Sequence, residues 1–198
     1  MYLLPRDNST SLSFADRLSP NDEEKRTIMF IGIFAACITV LWNVPYLNKI
    51  LWPFKIVTVA LHEFGHASAG LCTGAKIEYI TLDPDEGGLT SMRGGNPYFT
   101  LPAGYIGSSV WGSLMVFAGF DVLASKIASV LLGVAMLATL FWARNALARV
   151  ITVLMVGVIA FLWWLDGGYY LRYVVLFMGV MSSLYSLWDI IEDLVTRK

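Results

Sequence analysis

The stretch "VALHEFGHASAG", residues 59–70, places two histidines and a glutamate inside a segment otherwise apolar enough to cross a membrane. A carboxylate at mid-membrane depth costs roughly 2.5–3.5 kcal/mol on insertion scales, so something must offset it. His62 and His66 are four residues apart. On a helix that spacing puts both imidazoles on one face, one turn apart. Glu63, turned by about 100° from His62, flanks the pair instead of joining it. This is the His-Glu-x-x-His arrangement of zinc hydrolases, in which the histidines hold Zn2+ and the glutamate is the general base toward water. These are the only two histidines in the chain, and they lie where unpaired polar groups are disfavoured. Coordination by neutral imidazoles accounts for their presence. Gly65, Ala67, Ser68, Ala69 and Gly70 are small and let neighbouring helices approach closely. Packing alone explains those small residues but not the motif.

Composition fits a membrane setting. The 198 residues are 57% hydrophobic and 15% charged, with a mean hydropathy of +0.63. A soluble domain is about 45–50% apolar and about 25% charged. The net charge of −1 gives no reason to expect nucleic acid as a partner. Cys37 and Cys72 sit in apolar blocks and read as small packing residues, not a disulfide pair.

The expected fold is an all-α polytopic membrane protein of about six transmembrane helices. The spans are drawn at 27–45, 50–74, 101–120, 125–143, 147–165 and 170–190, with tryptophans near many of their ends. Residues 1–26 are polar, lack the apolar core of a cleaved signal, and read as a flexible cytosolic tail. Residues 27–198 form the membrane-embedded domain. Six alternating spans put both termini on one side. That side then carries ten lysines and arginines, among them Lys25, Arg26, Lys76, Arg93, Arg144 and Arg149, against Lys49, Lys55, Lys126 and Arg172 opposite. The bias places both termini in the cytosol; an endomembrane is the expected location. Between the second and third spans, "AKIEYITLDPDEGGLTSMRGGNPYFT" (75–100) reads as a cytosolic-side β-hairpin around a "DPDEGG" turn. Such a strand ledge can hold an extended peptide by β-augmentation.

Zinc needs a third protein ligand, and Cys72, Asp166 and Asp189 are the candidates. Six residues after His66, Cys72 faces away from the histidines. His66 and Asp189 both fall in the cytosolic halves of their spans, whereas Asp166 lies in the loop at the opposite surface, some 20 Å too far. Ser182, Tyr185 and Ser186 extend a polar stripe along the face of Asp189. Topology therefore favours Asp189, with Asp166 as the alternative.

The sequence resembles the site-2 protease family of intramembrane zinc metallopeptidases, and within it a small six-span branch seen in fungi and plants. The resemblance rests on "ALHEFGHASAG" ending at Gly70, "GGLTSMRGG" at 87–95, "LPAGYIGSSVWGSL" at 101–114 and "LRYVVLFMGVMSSLYSLWDIIEDL" at 171–194. It implies zinc-dependent endoproteolysis of transmembrane protein substrates within the lipid bilayer, with His62, His66 and an aspartate as ligands and Glu63 as base. Many members take the aspartate from a Leu-Asp-Gly triplet, which here falls at 165–167; the small branch carries an Asp-Ile motif late in its last span, matching Asp189. Some members orient substrate with an Asn-Pro element, and Asn96-Pro97 stands in a loop instead. Gly87 and Gly88 of the hairpin are the expected substrate-binding positions. The rival reading is a catalytically inactive scaffold that binds zinc or membrane clients; an intact Glu63 argues against it.

Overall fold

The computed structural model describes residues 19–83 and 87–195; most of the expected tail and the Pro84–Glu86 tip of the hairpin turn lie outside the described residues. Among these are six α-helices and one antiparallel hairpin: α1 (Asp22–Asn43), a 3-10 turn (Leu47–Leu51), α2 (Trp52–Cys72), β1 (Lys76–Asp83), β2 (Gly87–Arg93), α3 (Pro97–Ala118), α4 (Val122–Trp142), α5 (Ala146–Trp164), a second 3-10 turn (Leu165–Gly168) and α6 (Leu171–Val195). Four helices, α1, α4, α5 and α6, are long and apolar enough to cross a membrane. The other two, α2 and α3, carry the glycines, serines and titratable groups that lower their hydropathy.

The motif helix α2 sits at the centre. An unbroken run from Ile56 to Glu63 is buried. One flank packs through Val57 and Leu61 on Met115, Leu132, Met136, Met155 and Met178. The other packs through Ile56, Val59 and Ala67 on Ile77, Ile80 and Leu82 of the hairpin. The outer faces of α4 and α5 remain apolar and exposed, at Ile127, Val130, Val134 and Leu137 on one and Val150, Val153, Leu154 and Phe161 on the other. Helix-period apolar exposure of this kind suits lipid contact, not water.

Glycine sets the closest approaches. A Cβ on Gly179 of α6 would fall 2.6 Å from the Val116 amide nitrogen of α3, and one on Gly65 of α2 would strike the Ala103 carbonyl. With the backbones so close, Ser182 and Ser186 of α6 donate hydrogen bonds to the Ser108 and Tyr105 carbonyls of α3, each at 3.0 Å. The polar stripe beside Asp189 thus holds α6 to α3.

The start of α1 differs from expectation. Its helix begins at Asp22, inside the expected tail, because Asn21 and Glu24 close a reciprocal capping box: the Glu24 amide donates to Asn21 Oδ1 at 2.8 Å and the Asn21 amide to Glu24 Oε2 at 2.7 Å. The direction of α1 differs too. Phe30 packs on Tyr173, Phe34 on Phe177 and Trp42 on Tyr185. Phe54 of α2 also packs on Phe177, and His62 lies against Tyr185. Helices α1, α2 and α6 therefore run in the same sense, and the chain returns through residues 44–51 between α1 and α2. This does not fit six spans alternating from the first. At the shared N-terminal end Arg172, buried, donates to Thr27 Oγ1 at 2.8 Å and pairs with Glu23 at 3.4 Å. Arg172 was expected on the side opposite the N-terminus. Lys25 and Arg26 instead share its end, and residues 22 and 195 lie at opposite ends of the bundle. The charge bias that placed both termini in the cytosol narrows accordingly. The cysteines differ as well: Cys37 and Cys72 are free and exposed, not buried packing residues.

The direction of α1 is testable by cross-linking. In a background with Cys37 and Cys72 replaced by alanine, Glu23→Cys with Arg172→Cys should join through a short bis-maleimide. Glu23→Cys with Trp188→Cys should not; the reverse pattern would turn α1 around.

Candidate metal centre

His62, Glu63 and His66 come together on α2, their ligand atoms all within 4.8 Å of one another. The two Nε2 atoms are 3.0 Å apart, a separation that one ion at about 2.0–2.1 Å from each could bridge. His66 Nδ1 donates to the Thr100 carbonyl of α3 at 2.6 Å. That bond selects the tautomer with an unprotonated Nε2, the arrangement that orients a metal-ligating histidine. The His62 ring is set between Tyr105 and Tyr185, edge-on to each, with its Nδ1 3.4 Å from Ser108 Oγ. A Cβ on Gly104 of α3 would overlap both Nε2 atoms, so this glycine keeps open the space on which they converge. Two convergent imidazoles, a buried carboxylate and a cradle that one methyl group would fill suit a zinc ion.

Glu63 is 3% exposed. Its Oε2 accepts a hydrogen bond from Thr90 Oγ1 of β2 at 2.6 Å, which fixes the rotamer. Strand β2 lies so close that a Cβ on Gly88 would overlap Glu63 Oε1, Cγ and Cδ. Gly87 (φ +88°) lies nearby, and a Cβ there would come within 3.6 Å of Tyr185 Oη. The hairpin is thus a lid over the carboxylate. On its far edge β1 is tied down: the Arg144 amide donates to the Ile80 carbonyl at 2.9 Å, and the Asn145 side chain both donates to Leu82 O and accepts from Leu82 N.

The two candidate aspartates are far apart. Asp189 Oδ2 lies 3.5 Å from His62 Nδ1. It sits beside the histidine, on the nitrogen away from the Nε2 pair. Asp166 is exposed at the opposite end of α6, in a turn where its φ of 47° and those of Gly167 (61°) and Gly168 (88°) reverse the chain. The Leu-Asp-Gly triplet here is turn chemistry, and aspartate is among the few residues that accept the left-handed region. Asn96 accepts from the Tyr98 amide at 3.0 Å and caps α3, with Pro97 at the first helical position. Cys72 is exposed at the end of α2. The sequence reading did not single out Thr90, Thr100, Gly104, Tyr105 or Ser108. Period-two alternation could have put Thr90 on the face of Gly88, and the three-residue spacing of Gly104 and Gly107 could have marked a contact face.

The peptidase M50B-like family matches the chain over residues 30–198. The chain belongs to this family. Its members are membrane metallopeptidases of the site-2 protease type. The match takes in α1 from Phe30 onward and every later element through α6. Comparison with curated proteins and with solved structures gave no match.

Two substitutions probe the pocket without touching a donor. Gly104→Ala should lower the metal content of the purified protein as far as His66→Ala does, since the added methyl occupies the space between the Nε2 atoms. Gly133→Ala, where a Cβ meets nothing within 4 Å, should leave it unchanged. Elemental analysis of the three variants decides; full metal in Gly104→Ala would remove the site from this pocket.

Proposed function

We propose that this family member is an active zinc-dependent intramembrane endopeptidase that cleaves transmembrane protein substrates, with His62 and His66 as ligands, Glu63 as the base, and Asp189 as a third ligand that turns from His62 Nδ1 toward the ion when metal binds. The supporting observation is the Glu63 carboxylate. It is buried and fixed by Thr90, and it lies beside two imidazoles whose Nε2 spacing, and in His66 also the tautomer, suit a metal. A scaffold needs none of this orientation.

When bound, zinc supplies Lewis-acid polarisation of the scissile carbonyl. The protein's own groups do the rest. Thr90 occupies Glu63 Oε2, so Oε1 is the atom that takes the proton from the attacking water and passes it to the leaving amine. Thr100 holds His66 to one tautomer, and Asp189 and Ser108 flank His62 Nδ1. A helical substrate must unwind before its amides can react, because a helix satisfies them internally. Strand β2 offers the replacement: with β1 on one side only, its other edge has no strand partner among the described residues. A peptide laid along that edge at Gly87 and Gly88 passes beside Glu63.

Glu63→Gln keeps the shape and every ligand but removes the base. It should retain wild-type metal content, while turnover falls by a factor on the order of 10² or more. Thr90→Val should act in the same direction but less, roughly tenfold, because it frees the carboxylate without removing it. Quantitative proteomics of membranes carrying wild type or Glu63→Gln should show transmembrane proteins accumulating intact with the variant. Identical proteomes, with metal bound in both, would leave the scaffold reading.

A further inference from the structure

A cavity of about 590 Å3 opens away from the metal centre, where the α4–α5 turn meets β1. Its lining includes Tyr79, Phe141, Trp142, Arg144, Arg149 and Glu78. The two arginines are held in place by uncharged groups. The Arg144 guanidinium stacks over the Tyr79 ring at 4.7 Å, and Arg149 Nε donates to the Ala143 carbonyl at 2.8 Å. Among the described residues neither has a carboxylate partner. Glu78, the acid in the lining, is engaged by Arg93 at 2.5 Å. Two guanidinium groups share one cavity without a counter-ion, and their planar donor forks match phosphate oxygens.

We propose that this cavity binds the phosphate headgroup of an anionic membrane lipid. Its place in the fold selects lipid over a soluble anion. The apolar candidate span Val122–Trp142 ends at the cavity wall, which puts the arginines at headgroup depth. Phe141, 82% exposed, stands beside them on the apolar side, where an acyl chain would run. A free phosphate has no use for that aromatic wall. The turn that carries Arg144, with Arg149 following in the first turn of α5, is the same segment that hydrogen-bonds β1, so the headgroup would sit against the outer edge of the hairpin. The site is independent of the metal and of proteolysis.

The test is native mass spectrometry of the purified full-length protein in mild detergent, with dioleoyl phosphatidate, dioleoyl phosphatidylcholine or inorganic phosphate as probe. Wild type should retain phosphatidate in preference to phosphatidylcholine. The Arg144→Gln/Arg149→Gln variant should bind it roughly tenfold or more weakly, as two interfacial charges are lost. Lys126→Gln, on the cation at the other end of α4, should bind as wild type does. Should the double variant fail to fold, Arg144→Gln alone carries the test, because that side chain is exposed and stacks only on a ring. Undiminished phosphatidate binding in the variants, or phosphatidylcholine retained equally well, would overturn the proposal. Inorganic phosphate bound as tightly as phosphatidate would assign a soluble anion and overturn it too.

Discussion

A buried carboxylate, a buried imidazole and a second, half-buried one stand among apolar helices that offer them few partners, and much of the arrangement around α2 answers that constraint. Leaving a buried polar group without a hydrogen bond costs about 1–3 kcal/mol, more for a charged one. Partners must therefore come from the protein, at fixed positions. Thr90 supplies one to Glu63 from β2, and Thr100 supplies one to His66 from the start of α3. Ser108 and Asp189 approach His62 from α3 and α6. Three elements, β2, α3 and α6, are thereby drawn to one half of one helix. The hairpin is consequently part of the site's wall, and its residues are as constrained as those of the helix it covers.

That convergence demands short distances, and glycine provides them. Gly65, Gly104 and Gly107 allow α2 and α3 to meet at backbone contact, Gly112 and Gly179 do the same for α3 and α6, and Gly88 lets β2 lie on Glu63. Without a hydrophobic driving force between helices in lipid, close packing and interhelical hydrogen bonds hold the bundle. The serines of α6 that donate to α3 carbonyls are within reach only because the glycines are there. Packing and chemistry thus use the same residues: the small side chains that join the helices also leave room between the imidazoles.

Much of the site was legible in sequence, because its chemistry is local. His62, Glu63 and His66 fall within a turn and a quarter of helix, and their spacing alone sets their relative positions. The hairpin was legible for a similar reason: its strands alternate with period two and its turn is glycine-rich. Asp189 was reached by counting depth along two helices that do run in parallel. What escaped was relational. Thr90, Thr100 and Ser108 matter only for what they face. The Leu-Asp-Gly triplet carries a metal-site signature but is spent on a reversal, and Asn96-Pro97 is spent on a helix cap. The tail boundary was misplaced because Asn21 and Glu24 are polar, and polarity masked a cap that starts a helix.

The direction of α1 was the largest departure, and its cause lies beyond any hydropathy profile. Apolar periodicity is the same read from either end, so it cannot orient a helix against its neighbour. Charge can. The first turn of α1 carries Asp22, Glu23 and Glu24, and its far end carries none. Arg172, buried between the rings of Tyr169 and Tyr173, needs an acid and an acceptor close by, and Glu23 and Thr27 provide them. Turning α1 over would take both away and set its acidic turn against Trp188 and Tyr185. An unpaired buried arginine is the more expensive outcome. A single polar contact between residues 23 and 172 thus settles what twenty apolar residues leave open, and alternation from one span to the next cannot be assumed where a buried charge has already chosen its partner.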